Sequence, residues 1–368
     1  MRLFDRYISR QILVGTVYAV VILSLVLVMG NLFKQARPLL VEQSAPLGLL
    51  VRFVINVLPF SLMFTIPWGF LCAVLLVFGR MSGDNEINAL RGAGISVFRL
   101  ALPVFIIGAL LSFACMWINV NVVPLAKASM RDLIYEQVKR DPRSLLDPGV
   151  VQSNFKNQKV FVEQREGDTL KGFHLYQVSN GENGAPIRTE AYVNAGSVSL
   201  IVDQKKKQLR LRLIDTFIEA KKKDGTSELV FAGQAEPWLF DFGNERRKKI
   251  RSSSMTGKEI LEYIRENPGL KESQKVSFRA EITKRYSFSM ACLAFAFVAV
   301  PLGLKSRRRD TSGGLIISLG IGTAYFLFTV MSDKFDTDAG ASFALWAPNV
   351  FCVLLGLWLF KRAKYHGS

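Results

Sequence analysis

Six stretches of this chain are long and apolar enough to cross a membrane as helices, and no other feature restricts its fold so sharply. They lie at about 11–33, 47–79, 97–124, 286–304, 312–332 and 342–360. About 18 apolar residues suffice to span roughly 30 Å of hydrocarbon as a helix. Residues 126–275, between the third and fourth runs, are thoroughly polar. The chain therefore reads as a mainly α polytopic membrane protein, with spans at 1–125 and 276–368 and a soluble insertion between them. The first run follows Arg2, Arg6 and Arg10 and could pass for a signal peptide. Its apolar stretch is too long for one and no small-residue cleavage motif closes it, so it reads as a retained span.

The formal net charge of +17 raises the question of nucleic acid. The distribution of the cations argues against it, because they cluster beside the spans. Arg2, Arg6 and Arg10 form one group; Arg80, Arg91 and Arg99 a second; Lys305, Arg307, Arg308 and Arg309 a third; Lys361, Arg362 and Lys364 a fourth. With six spans all four groups fall on one side, which the positive-inside rule makes cytoplasmic. Both termini are then cytoplasmic and 126–275 lies outside, periplasmic in a bacterium with two membranes. Cysteines 72, 115, 292 and 352 all fall inside apolar runs, so no disulfide staples the insertion.

Span two is long, 47–79, and carries Pro59 and Pro67 as places to bend. Span three runs into RDLIYEQVKRDPRSLL, which extends a helix out of the membrane as far as Pro142. The insertion reads as short antiparallel strands. KVFVEQ and FHLYQV flank a turn, SVSLIVD and QLRLRLIDTF flank Gln204–Lys207, and ELVFAG and PWLFDF follow. In LRLRL, Leu209, Leu211 and Leu213 alternate with arginines, giving one apolar and one basic face. Six or more such strands suggest a sandwich or roll. TGKEILEYIRE at 256–266 makes a short amphipathic helix closed by Asn267, Pro268 and Gly269.

Catalytic chemistry is not legible. The chain has no phosphate-binding G-x-x-x-x-G-K-[ST] loop, and its two histidines, His174 and His366, cannot make an H-E-x-x-H zinc site. What remains is charge where a membrane penalises it. Lys34 and Arg37 sit at the outer end of span one, and Arg52 lies within the outer part of span two. Such cations either snorkel to headgroups or face a cavity or an anionic partner. Glu281 and Arg285 are spaced to pair across one helical turn at the entrance to span four. In span five Gly314, Ser318 and Gly322 recur every four residues, a small-residue seam for close packing within the chain or against a second subunit.

Between spans two and three the chain reads RMSGDNEINALRGAGIS, residues 80–96. Asp84 is placed to cap a helix of about 82–93, Glu86 suits its positive end, and Ile87 and Leu90 make a small apolar stripe. At ~15 Å such a helix is too short to stand alone in water. A helix lying on lipid would carry several cations on its polar face. This one carries Asp84, Asn85, Glu86 and Asn88 with only Arg91, which favours a protein partner.

Taken in order, DRYI at 5–8, the LP and IP pairs of span two, DNEINALRGAGIS at 84–96, FRAEITKR at 278–285, VPLGL at 300–304 and WAPN at 346–349 resemble one family. The chain is similar over nearly its whole length to the LptF/LptG permeases, the membrane subunits of the lipopolysaccharide-export ABC transporter. Its RAE before span four, and VPL before a basic stretch, lean toward LptF. The resemblance implies a periplasmic β-jellyroll between spans three and four. It also implies a coupling helix at 82–93 on which a cytoplasmic ATPase dimer docks, with Glu86 matching the coupling carboxylate and Asp84, Arg91, Ile87 and Leu90 around it. A second six-span permease, a periplasmic bridge protein with its own jellyroll, and lipopolysaccharide are the further partners implied. ATP and magnesium would belong to the ATPase, with no cofactor in this chain. Lys34, Arg37 and Arg52 would meet lipid phosphates, and Leu209, Leu211 and Leu213 would line a groove for acyl chains. The rival is a membrane-anchored periplasmic binding or scaffolding module; a lipid-modifying enzyme is disfavoured by the missing catalytic set.

Overall fold

The computed structural model describes residues 2–35, 47–140, 146, 148–149, 151–155, 158–179, 188–203, 208–221, 227–241, 252–305, 311–331 and 337–365. Their helices are α1 (Arg2–Gln35), α2 (Leu47–Gly83), α3 (Glu86–Gly92), α4 (Val97–Trp117), α5 (Val123–Arg140), α6 (Gly257–Glu266), α7 (Glu272–Ser289), α8 (Ala291–Lys305), α9 (Thr311–Met331) and α10 (Asp338–Tyr365). Six candidate membrane spans emerge: Phe4–Asn31, Val51–Gly83, Val97–Leu133, Glu272–Leu304, Gly313–Met331 and Asp338–Arg362. Pro59 and Pro67 both lie inside the single helix α2. The chain divides into two compact units, one of Met1–Met130 with Ile250–Ser368 and one of Arg131–Lys249. The second is narrower than the polar stretch 126–275, because α6 packs on α7 through Tyr263 and Phe278, 5.3 Å apart, and so belongs to the helical unit.

Small residues set the helical packing. Water cannot drive spans together inside lipid, so close backbone approach and side-chain hydrogen bonds carry the association. In α8, Ala291, Ala294, Ala296 and Ala299 are buried in the core with Phe70, Val74 and Phe78 of α2 and Leu100 and Val104 of α4. A methyl at Gly303 would come within 2.6 Å of the Phe78 Cβ. Span four is accordingly the most enclosed, with 72% of its apolar window buried against 17% for span one.

Among the described residues the second unit carries six strands, β1 (Gln152–Phe155), β2 (Gln158–Glu166), β3 (Thr169–Ser179), β4 (Arg188–Asp203), β5 (Gln208–Lys221) and β6 (Ser227–Asp241), joined in the order β1-β2-β3-β4-β5-β6. All neighbours are antiparallel. This inserted antiparallel sheet is jellyroll-like, but its strands form one meander rather than two packed sheets. ELVFAG and PWLFDF, which read as separate strands, are the single strand β6.

A crease makes one sheet close on one core. The inward residues jump by three positions instead of two in three adjacent strands: Leu170 to Phe173, Ala195 to Val198, and Leu213 to Thr216. The register is kept across the jump, so all three strands switch faces together. Gly172, Gly196, Asp215 and Gly233 lie in line there, with Gly172 at φ +62° and Asp215 at φ +52°. Turning a sheet sharply requires backbone that side chains resist. Gly172→Val should therefore destabilise the β unit by roughly 1–3 kcal/mol, since its Cβ would also overlap the Glu163 side chain. Gly233→Ala, with open space around it, should leave stability unchanged. Limited proteolysis of the full-length chain against temperature would show the difference.

Candidate functional site: the charged end of the helical unit

The short segment between spans two and three folds as a seven-residue helix, shorter than the 82–93 that its sequence suggests. Asp84 does not cap it. The Asp84 N–H bonds to the Arg80 carbonyl at 2.9 Å and so prolongs the last turn of α2. The cap position falls to Asn85, in the left-handed region at φ 59° and ψ 10°, where asparagine is among the few residues at ease. Its Oδ1 accepts from Asn88 Nδ2 at 2.9 Å. At the other end the Gly94 N–H reaches the Arg91 carbonyl at 2.9 Å with Gly94 at φ +84°, a glycine stop. Ser96 then caps α4 by accepting from the Arg99 N–H at 3.3 Å.

Ile87 and Leu90 are not offered to a partner. Ile87 is buried in the core of the helical unit, and Leu90 and Ile95 pack against the same cluster. The apolar stripe thus anchors α3 to its own spans. Asp84, Asn85, Asn88 and Ala89 are exposed, with Glu86 and Arg91 half-buried beside them. Among the described residues neither Glu86 nor Arg91 has an ion-pair partner.

Several helix ends meet here. Arg99 pairs with Asp5 of α1 at 2.8 Å, and Arg80 donates to Gln11 of α1 at 2.6 Å. Ser82 Oγ donates to the Leu304 carbonyl of α8 at 2.9 Å. Phe105 of α4 and Phe360 of α10 have ring centroids 6.2 Å apart. The regions of all four basic clusters therefore share one end of the unit. Arg307, Arg308 and Arg309 lie outside the described residues.

The opposite end of α1 and α2 carries two of the cations expected to meet lipid phosphates, Lys34 and Arg52. Contacts such as Ser24 Oγ to Thr65 Oγ1, 2.8 Å, run α1 and α2 side by side. Lys34 is in the last turn of α1, its side chain outside the described residues, as is Arg37 altogether. Arg52 is exposed on α2. Lys127 of α5, absent from the expected set, has its ammonium 4.9 Å from the centroid of the Phe60 ring. Its sequence neighbourhood, PLAKASM, reads only as a helix leaving the membrane.

The small-residue seam of span five faces inward, not toward a second subunit. A methyl on Gly314 would touch Leu76 at 3.4 Å, and Ser318 accepts from Cys72 Sγ at 3.0 Å. The Trp68 indole N–H donates to the Ser318 carbonyl at 3.1 Å, and a methyl on Gly322 would lie 2.5 Å from that ring. The seam exists because α9 must sit flat on the bulky face of α2. Glu281 and Arg285 do pair, at 3.4 Å, and the buried Arg285 also donates to the Ser252 carbonyl at 3.1 Å. In the β unit Leu211 and Leu213 are 0% and 1% exposed among Phe173, Val198 and Leu200, so they form a closed core rather than an open groove. The side chain of Leu209 lies outside the described residues.

The family model for the lipopolysaccharide export system permease LptF/LptG matches residues 6–362. The chain belongs to the LptF/LptG permease family. No match was found among curated proteins. As an LptF/LptG permease it is a multi-pass inner-membrane protein and a permease of the lipopolysaccharide-export ABC transporter. The match covers both subunit types and does not assign the chain to LptF or to LptG.

Proposed function

We propose that this chain is a non-enzymatic permease subunit moved by ATP hydrolysis in a separate cytoplasmic ATPase dimer. The observation that carries this reading is α3, locked by Ile87 and Leu90 onto its own spans while Glu86, Asn88 and Arg91 are left toward the outside. A docked partner that shifts such a helix must shift spans two and three with it. The convergence of the basic clusters at that end supports placing α3 and both termini in the cytoplasm and the β unit in the periplasm.

With a second six-span permease the chain would enclose a cavity open to the outer leaflet of the inner membrane. Lys34, Arg37, Arg52 and Lys127 would meet the lipid phosphates. Closure of the ATPase would narrow the cavity and drive the lipid into the jellyroll, and from there to a periplasmic bridge protein. ATP and magnesium would stay on the ATPase. Leu211 and Leu213 are fully enclosed, so acyl chains enter the roll only when its two sides part. Leu211→Asn, which makes that interior polar, should lower lipid transfer through the roll several-fold, read as photocrosslinking of lipopolysaccharide to the β unit.

Purification in mild detergent tests the assignment. An ATPase and a second six-span chain should accompany this one in fixed stoichiometry. Recovery of the chain with periplasmic proteins alone would favour the membrane-anchored scaffold instead.

A further inference from the structure

Spans three and four both leave regular helix where they touch. In span three, Ile118–Val122 form a π turn between α4 and α5. In span four the ladder is interrupted at Met290, between α7 and α8, where φ is −79° and ψ −6°. The Met290 N–H is shared between the Tyr286 and Ser287 carbonyls, at 3.3 and 3.1 Å. Single π turns within helices occur frequently at functional sites.

Side chains from spans three, four, five and six clasp this junction. Asn119, fully buried in the π turn, donates from Nδ2 to Ser289 Oγ at 2.9 Å, and that hydroxyl donates to the Arg285 carbonyl at 2.7 Å. Ser112 accepts from the Leu293 N–H at 3.1 Å. From span six, Asn349 Nδ2 donates to the Ser287 carbonyl at 2.9 Å, and from span five the Tyr325 hydroxyl does so at 3.4 Å. The Cys115 and Cys292 sulfurs lie 4.0 Å apart beside it.

The clasp is incomplete. Asn119 Oδ1 and Arg285 Nη1 are both buried without a hydrogen-bond partner among the described residues. One is an acceptor without a donor and the other a cationic donor without an acceptor. Ser289 bridges the Asn119 amide to the backbone carbonyl of residue 285, one helical turn along span four, whose guanidinium bonds to Glu281 and the Ser252 carbonyl. Buried groups left in this state are costly and call for an explanation.

We propose that the junction is a two-position hinge. In the position seen, Asn119 Nδ2 holds Ser289. In the other, span three has moved about one turn, roughly 5.4 Å, along span four and Asn119 Oδ1 accepts from Arg285 Nη1. Each position satisfies one side of the Asn119 amide, so the two arrangements compete closely. The extra residue of the π turn supplies the slack that lets span three shift without unwinding. Asn119 and Arg285 are positioning residues in this scheme. That the shift serves transport rests on the permease reading above; its existence does not.

The native cysteines report the position. Sulfurs 4.0 Å apart close to a disulfide, at about 2.05 Å, with little backbone movement, whereas a one-turn shift separates them. The full-length chain in native membrane vesicles is oxidised with copper–phenanthroline and the Cys115–Cys292 bond quantified by peptide mass spectrometry. Wild type should cross-link readily. Asn119→Asp removes the donor to Ser289 and gives Arg285 a carboxylate. It should lower cross-linking at least about tenfold, since a charge-assisted bond replaces a neutral one. Adding Arg285→Gln to Asn119→Asp should restore it, an outcome that simple unfolding would not produce. Ser289→Ala, which weakens only the position seen, should lower cross-linking as well. Equal cross-linking in wild type, Asn119→Asp and Ser289→Ala, or none in wild type, would overturn the hinge. No ATPase or lipid readout enters, so failure of the permease reading would leave this result standing and be recognised separately.

Discussion

Reversing the charge at position 86 should abolish lipid export while leaving the protein folded and inserted. Glu86 is half-exposed on α3, with no ion-pair partner among the described residues, so Glu86→Lys breaks no ion pair and costs only the favourable charge at the helix start, about 0.3–1 kcal/mol. The anchor, Ile87 with Leu90 and Ile95, remains in the core. What changes is the exposed face of α3, which in the proposed function meets the ATPase. Leaving a buried interfacial charge unpaired or opposed by a like charge costs roughly 2–5 kcal/mol, a loss on the order of a hundredfold or more in coupling. Export should fall accordingly in a lipopolysaccharide-release assay, with membrane abundance of the chain unchanged. A photocrosslinker at Asn88 should capture the ATPase in cells carrying the wild-type chain and lose it with Glu86→Lys. Normal export by that variant would remove Glu86 from the coupling role.

The second large effect belongs to packing. Gly322→Leu should undock span five and remove the chain from the membrane by degradation. A methyl at 322 already lies 2.5 Å from the Trp68 ring, and that indole is held by its bond to the Ser318 carbonyl, so it cannot swing away cheaply. Overpacking a well-filled interface costs about 1–3 kcal/mol, and more where the obstacle is rigid. Gly320→Leu, two residues away with nothing within 4 Å of its Cβ position, is the internal control and should be tolerated. Steady-state abundance and thermal aggregation in detergent would separate the two variants. Equal behaviour of both would mean that the α9–α2 contact does not stabilise the unit.

The architecture was legible because its determinants are local and strong. Six long apolar runs that hold only Arg52 and Arg99 among them read as spans, and the alternating leucines and arginines of 209–213 state which face of β5 turns inward. The Glu281–Arg285 pair was readable from spacing alone. What escaped depends on distant neighbours. Ile87 and Leu90 make the same stripe whether they face a partner or the protein's own core, and only the position of spans two and three decides. The seam at 314, 318 and 322 likewise says that something comes close without saying what; it is Trp68 of the same chain. Asp84 seemed the better cap because capping preferences rank side chains, whereas here the end of α2 had already taken its N–H. The crease left a weak trace, glycines at 172, 196 and 233 whose alignment exists only once the strands are in register. Asn119 left none, since an asparagine in an apolar run gives no sign that its helix widens to a π turn.

The central claim is that hydrolysis of ATP on another chain becomes lipid movement through this one. It is tested most directly by reconstituting the complex purified on this chain into vesicles with lipopolysaccharide and a soluble periplasmic acceptor, then measuring lipid transferred against ATP consumed. Transfer should require ATP, rise in proportion to its hydrolysis and vanish with Glu86→Lys. Lipid transfer that is equal with and without ATP, or ATP hydrolysis that moves no lipid, would contradict the account.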